Sequence, residues 1–90
     1  MPMHVITGPR GSGKTRRIRA LHAELQKQGL ATAIITGNAC TTPYLVARIQ
    51  QQADSGAHHF LADDCTREQI KAVQNIDLPD HFTLYLVRQA

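Results

Sequence analysis

Eight consecutive residues, Gly8-Pro9-Arg10-Gly11-Ser12-Gly13-Lys14-Thr15, have the types and spacing to hold an anion. They satisfy G-x-x-x-x-G-K-[ST] at every fixed position. Without Cβ atoms the glycines reach positive φ, so the backbone can wrap tightly. Successive N–H groups then converge at the start of the next helix, whose dipole also favours negative charge. Lys14 is expected to reach the β- and γ-phosphates of a nucleoside triphosphate, and the Thr15 hydroxyl to ligate Mg²⁺. A ligand-free glycine turn is the plainer reading. It is disfavoured because the loop lies between an apolar run, His4-Val5-Ile6-Thr7, and a helical pattern.

The second stretch with chemical content is His58-His59-Phe60-Leu61-Ala62-Asp63-Asp64, about 50 residues after the loop. An apolar strand ending in acids places carboxylates where strand ends of a parallel sheet converge on a ligand. Asp63 is expected to hold Mg²⁺, usually through water. Asp64 is placed to orient or deprotonate an attacking water. Two acids opening a loop are the plain alternative, which weighs more on Asp64 than on Asp63. Adjacent histidines on a strand point to opposite faces, so His58 and His59 read as surface or half-buried residues rather than as one metal site.

The rest of the chain reads as elements that position these residues. Met3 to Thr7 is a short strand. The helix after the loop runs from about Gly13 to Gln28, with Ile18, Leu21 and Leu25 on one stripe and Gly29 suited to a left-handed C-cap. Ala31 to Thr36 is a second strand, so the three form a right-handed βαβ unit. A loop from Gly37 to Thr41 leads to Thr42 as N-cap and Pro43 in the first helical turn. Leu45, Val46, Ile49 and Ala53 line a second helix, stopped by Asp54-Ser55-Gly56. Thr66 and Gln69 form a capping box for a third helix, Arg67 to about Asn75, with Ile70, Val73 and Ile76 inward. Phe82 to Val87 is the last strand. The pattern predicts an α/β fold: a small four-stranded parallel sheet with helices on both faces, in a single domain over residues 1–90.

Composition sets bounds. Ninety residues at 42% hydrophobic, with two Tyr, two Phe and no Trp, predict one small, mostly aliphatic core. No stretch is long and apolar enough to span a membrane, and the N-terminus lacks the charged-then-apolar pattern of a signal peptide. Cys40 and Cys65 read as reduced thiols, and a soluble cytoplasmic protein is expected. The net charge of +3 is uneven. Residues 1–30 carry six basic residues against Glu24, a net of +5, and residues 31–90 carry four basic and six acidic, a net of −2. The basic end is the phosphate-binding end. Arg16, Arg17 and Arg19 read first as a solvated face. Nucleic-acid contact is less favoured because aromatic residues that stack on bases are nearly absent.

The chain resembles a minimal P-loop nucleoside triphosphatase. Gly8 to Thr15 match a Walker A motif and, less specifically, Phe60 to Asp64 a Walker B motif. An acid directly after the Walker B Asp, here Asp64, is similar to the division containing AAA-type, RecA-like and helicase ATPases, and the loop is also similar to that of small phage-type and Zot-like ATPase domains. The resemblance implies a three-layer P-loop fold with ATP and Mg²⁺ as ligands. In that division an extra strand lies between the Walker A and Walker B strands, giving the order second, third, fourth, first. Arg88 and Gln89, at the end of the last strand, are then the candidates for a polar sensor. The kinase–GTPase division would instead set the first and third strands side by side, and the sequence leaves open whether the fourth strand lies between them or at an edge. The chain lacks an N-K-x-D motif, so adenine is the default base. It also lacks a lid or acceptor insertion, and no arginine lies in a recognisable finger context, although Arg10, Arg48 or Arg67 could serve a neighbouring subunit. The expectation is ATP binding with weak or partner-stimulated hydrolysis, in which Lys14 and Asp64 carry the catalysis. The alternative is a non-hydrolysing, nucleotide- or anion-dependent module that docks to a protein or nucleic acid. The Met3 to Thr7 edge makes self-association a further expectation.

Overall fold

The computed structural model describes residues 3–30 and 33–89. In chain order these form β1 (Met3–Ile6), α1 (Lys14–Lys27), β2 (Ile34–Thr36), a 3-10 turn (Gly37–Ala39), α2 (Thr42–Asp54), β3 (His59–Cys65), α3 (Arg67–Gln74) and β4 (Thr83–Arg88). The four strands are parallel and ordered β1-β4-β3-β2. The fourth strand thus lies between the first and the third, one of the two orders that the sequence left open.

Alternation along the strands explains the layers. Leu61 and Val87 face α1, where they pack with Ile18 and Leu25 and with half-buried Ile6, Leu21, Ile34 and Tyr85. Phe60, Ala62, Leu84 and Leu86 face the other way, against Leu45, Ile49 and Ala53 of α2 and Ile70 and Val73 of α3. Because β3 and β4 are covered on both faces, each reads as a continuous apolar run rather than an alternating one. Each fully buried Leu or Ile contributes roughly 1.5–3 kcal/mol of transfer free energy. The sheet is therefore clamped most firmly at its two central strands.

The helix ends follow local chemistry. After α1, Leu30 N donates to Leu25 O at 2.9 Å and Gly29 N to Gln26 O at 3.0 Å, with Gly29 at φ 73°. This is the Schellman pattern expected of a glycine at that position. The capping box of α3 has both bonds: Gln69 N donates to Thr66 Oγ1 at 3.2 Å, and Thr66 N to Gln69 Oε1 at 2.9 Å. One boundary differs from the sequence reading. The cap of α2 is Thr41, whose Oγ1 accepts from Tyr44 N at 3.3 Å, and Thr42 is the first helical residue. Neighbouring threonines compete for a cap, and Thr41 holds the extended backbone that a cap requires. In the second strand, Ala31 and Thr32 lie outside the described residues, and regular pairing begins at Ile34.

Candidate functional site

The carboxyl ends of all four strands meet at one end of the sheet, where βα loops surround a cleft of about 680 Å³. Such a volume lies within the range of ligand pockets, roughly 300–1,000 Å³. Arg10 to Arg16 of the loop and the start of α1 line it on one side, and Asn38, Asp64 and Gln89 line it on the other.

The loop is tightly folded. Ser12 N donates to Pro9 O at 3.2 Å. Gly8 sits at φ 152°, and a Cβ there would stand 2.6 Å from Ser12 Oγ, so another residue would strain the backbone and displace the Ser12 hydroxyl. Gly13 enters α1 at φ 84°, and no side chain caps the helix. Among the described residues, the first-turn N–H groups of Lys14, Thr15 and Arg16 have no carbonyl acceptor, leaving donors at the positive end of the dipole. The Lys14 ammonium donates to Gly8 O at 2.5 Å and to Pro9 O at 3.4 Å. Gly8 and Pro9 thus act here through their carbonyls, while the rest of the loop faces the cleft.

The carboxylates separate. β3 and β4 pair regularly to Ala62, and the register then shifts before Cys65 pairs with Arg88. Asp63 and Asp64 occupy this irregularity, and Asp64 sits at φ 51°, the only positive φ of a described non-glycine residue. Bulges of this kind re-aim a side chain. Asp64 lines the cleft. Asp63, paired with Thr36 of β2, does not line it, and its Oδ1 accepts from Asp64 N at 2.9 Å. Among the described residues, no three His, Cys, Asp or Glu side chains form a metal-binding group. An ion held here would therefore need oxygens from its ligand, water and the Thr15 hydroxyl as well as one carboxylate.

Asn38, which the sequence reading missed, and Gln69, which it read only as a capping partner, complete the site. Asn38 reaches the cleft from the 3-10 turn after β2. Its position directly after a strand's carboxyl end was the available signal. Gln69 is buried behind it. Its Nε2 donates to Gly37 O at 2.7 Å and to Cys40 O at 3.1 Å, while its Oε1 serves the capping box. One amide thereby pins the Asn38 turn to the start of α3. Gly37 permits this closeness, since a Cβ there would lie 2.9 Å from both Cys65 Cα and Gln69 Oε1. Cys65 packs beneath the turn. Burial, with smaller effects from Asp63, Cys40 and Asp64, pushes its thiol up to about 12, so it is held as a neutral thiol rather than a nucleophile.

The two candidates at the end of β4 part as strand neighbours do. Gln89 faces the cleft, and Arg88 lies on the opposite face, towards α3. Arg16 lines the cleft, whereas Arg17 and Arg19 are exposed residues outside its lining. Three cations, Arg10, Lys14 and Arg16, thus face one carboxylate, Asp64.

Fold and cleft define a three-layer α/β protein with an electropositive site at the carboxyl edge of a parallel sheet. Comparison with protein-family models, with curated proteins and with solved structures finds no match to this chain. No described helix is long and apolar enough to cross a membrane.

Proposed function

We propose that this chain is a cytoplasmic ATP-binding protein that takes ATP with Mg²⁺ in the Gly8–Thr15 loop and hydrolyses it weakly unless a partner assists. One observation carries the reading. The signature lysine, the free amides of the first helical turn, a carboxylate on a re-aimed strand end and the polar Gln89 all open into one cleft. A polyphosphate suits the three cations that line it, and they favour its charge over that of a neutral ligand. The place of β4 between β1 and β3 supports the same reading.

Bound Mg²⁺ would supply charge neutralisation at the phosphates and a fixed geometry for them. Thr15 and, through water, Asp63 are the residues proposed to hold it. The first-turn amides and Lys14 bind and orient the phosphate oxygens, for which Lys14 exchanges its contact with Gly8 O for the ligand. Asp64 holds or accepts a proton from water in the cleft. Gln89 and Asn38 bound the cleft as hydrogen-bonding groups. Hydrolysis is tested by Mg²⁺-dependent phosphate release. Wild type should release phosphate slowly, and Asp64→Asn should lose release while still binding nucleotide.

The second reading, a non-hydrolysing module, is favoured by the side chain of Asp63, which lies outside the cleft lining and accepts from Asp64 N. Absence of release even with oligomer or nucleic acid added would select it.

A further inference from the structure

On the opposite face of the sheet from α1, a second groove of about 200 Å³ runs between α3 and the ends of β1 and β4. Val5 and Ile70 supply its apolar lining, and Arg67, Lys71 and Arg88 supply three cations. Residues 31–90 hold only four basic residues and are net acidic, yet three of the four meet here. No carboxylate lines the groove. Among the described residues, these three side chains make no ion pair or hydrogen bond. Glu68 stands beside Arg67 on α3 but outside the lining, so three cations outweigh one carboxylate, raise the local potential and favour an anionic occupant.

The groove flanks an open edge. β1 is the end strand of the sheet, so its outer N–H and C=O groups have no partner strand among the described residues. Its residues Met3–Ile6 include no Lys, Pro or acid to discourage pairing. An extended chain added there would alternate its side chains between the two faces, and every second one would face Val5, Ile70 and the three cations.

We propose that this groove and the β1 edge together bind an extended peptide of a partner protein with acidic residues at alternate positions. The main chain would pair with β1, and the acidic side chains would meet Arg67, Lys71 and Arg88. Two other occupants fit less well. A second copy pairing through its own β1 brings Met-His-Val-Ile and no acid along that strand. Single-stranded nucleic acid would find no aromatic platform in the groove and nothing to pair with a strand edge. This site makes no use of the Gly8–Thr15 loop, so it stands or falls apart from the nucleotide reading.

The test is fluorescence anisotropy with a labelled synthetic peptide alternating Glu and Val. The comparison probes are a Lys/Val peptide, a Glu/Val peptide interrupted by proline, and a single-stranded DNA oligonucleotide. The expected result is salt-sensitive binding of the Glu/Val peptide alone, weakened by about tenfold or more in the Arg67→Glu/Lys71→Glu variant. Both substituted side chains are exposed, and an unchanged unfolding midpoint would confirm that the variant folds. Failure of wild type to bind the Glu/Val peptide would overturn the proposal. Equal binding by the variant, equal binding of the proline-interrupted peptide, or preference for the oligonucleotide would do the same.

Discussion

Asp64 combines the features that a functional residue tends to combine: a left-handed backbone, a strand irregularity and a place in the cleft wall. Left-handed conformation costs most side chains about 1 kcal/mol or more, and Asp and Asn least. Asp64→Asn is therefore expected to leave stability within about 0.5 kcal/mol of wild type, because Asn tolerates the same backbone. Asp64→Ala should cost about 1 kcal/mol, since alanine tolerates the left-handed backbone less well than Asp or Asn. Denaturant unfolding of the two variants checks the contrast, and equal losses in both would show that the backbone at 64 is unstrained. The sequence reading placed both acids at a strand end and favoured Asp63 as the functional one, whereas the structure turns Asp64 into the cleft wall and leaves Asp63 outside it. That choice rests on a register shift between β3 and β4, a pairing of distant segments that no local pattern encodes.

At the scale of elements, the Gln69 amide joins two pieces that the sequence shows only separately. The capping box was legible because its partners are three residues apart. The bonds to Gly37 O and Cys40 O span about 30 residues and were not legible. Gln69→Leu removes the reciprocal cap bond and both bonds from Nε2, leaving the Gly37 carbonyl its bond from Cys40 N and taking the side-chain donor from the Cys40 carbonyl. It should cost about 2 kcal/mol and lower the unfolding midpoint by roughly 10 °C. Gly37→Ala meets backbone at 2.9 Å and should cost about 1–3 kcal/mol. If both variants melt with wild type, the turn carrying Asn38 is not held by this contact. The displaced cap of α2 has the same lesson at smaller scale: Thr41 and Thr42 are both good caps, and tertiary placement of the turn decides between them.

For the whole molecule, the parallel sheet and its two covered faces were legible because Phe60-Leu61-Ala62 and Leu84 to Val87 are continuous apolar runs, while the helices repeat their apolar residues at helical spacing. The amino-end rings were less so. His4 and Tyr85 stack at 5.0 Å, and His59 lies parallel to Tyr85 at 6.2 Å, so three strands contribute one row. His59 Nδ1 is buried with no hydrogen-bond partner among the described residues. Burial, and then the charge of His58, holds the His59 value below its ordinary one. The unfolded chain then takes up a proton more readily than the folded one as pH falls. This contribution is complete above about pH 6.5 and declines below it until the folded-state value is passed. Thermal midpoints from pH 7.5 to about pH 5 should fall in wild type and fall less in His59→Phe, which keeps the ring row without the titration. Parallel curves would exclude His59 as the group responsible.

A working nucleotide site in the Gly8–Thr15 loop must show itself in thermal unfolding with ATP, ADP and GTP, each with and without Mg²⁺. A ligand at about 100 times its dissociation constant adds roughly 2.7 kcal/mol, a midpoint rise on the order of 10 °C for a domain of this size. The expected result is such a rise with ATP·Mg²⁺ in wild type and none in Lys14→Ala. No rise with any nucleotide, or a rise that survives Lys14→Ala, would contradict the account.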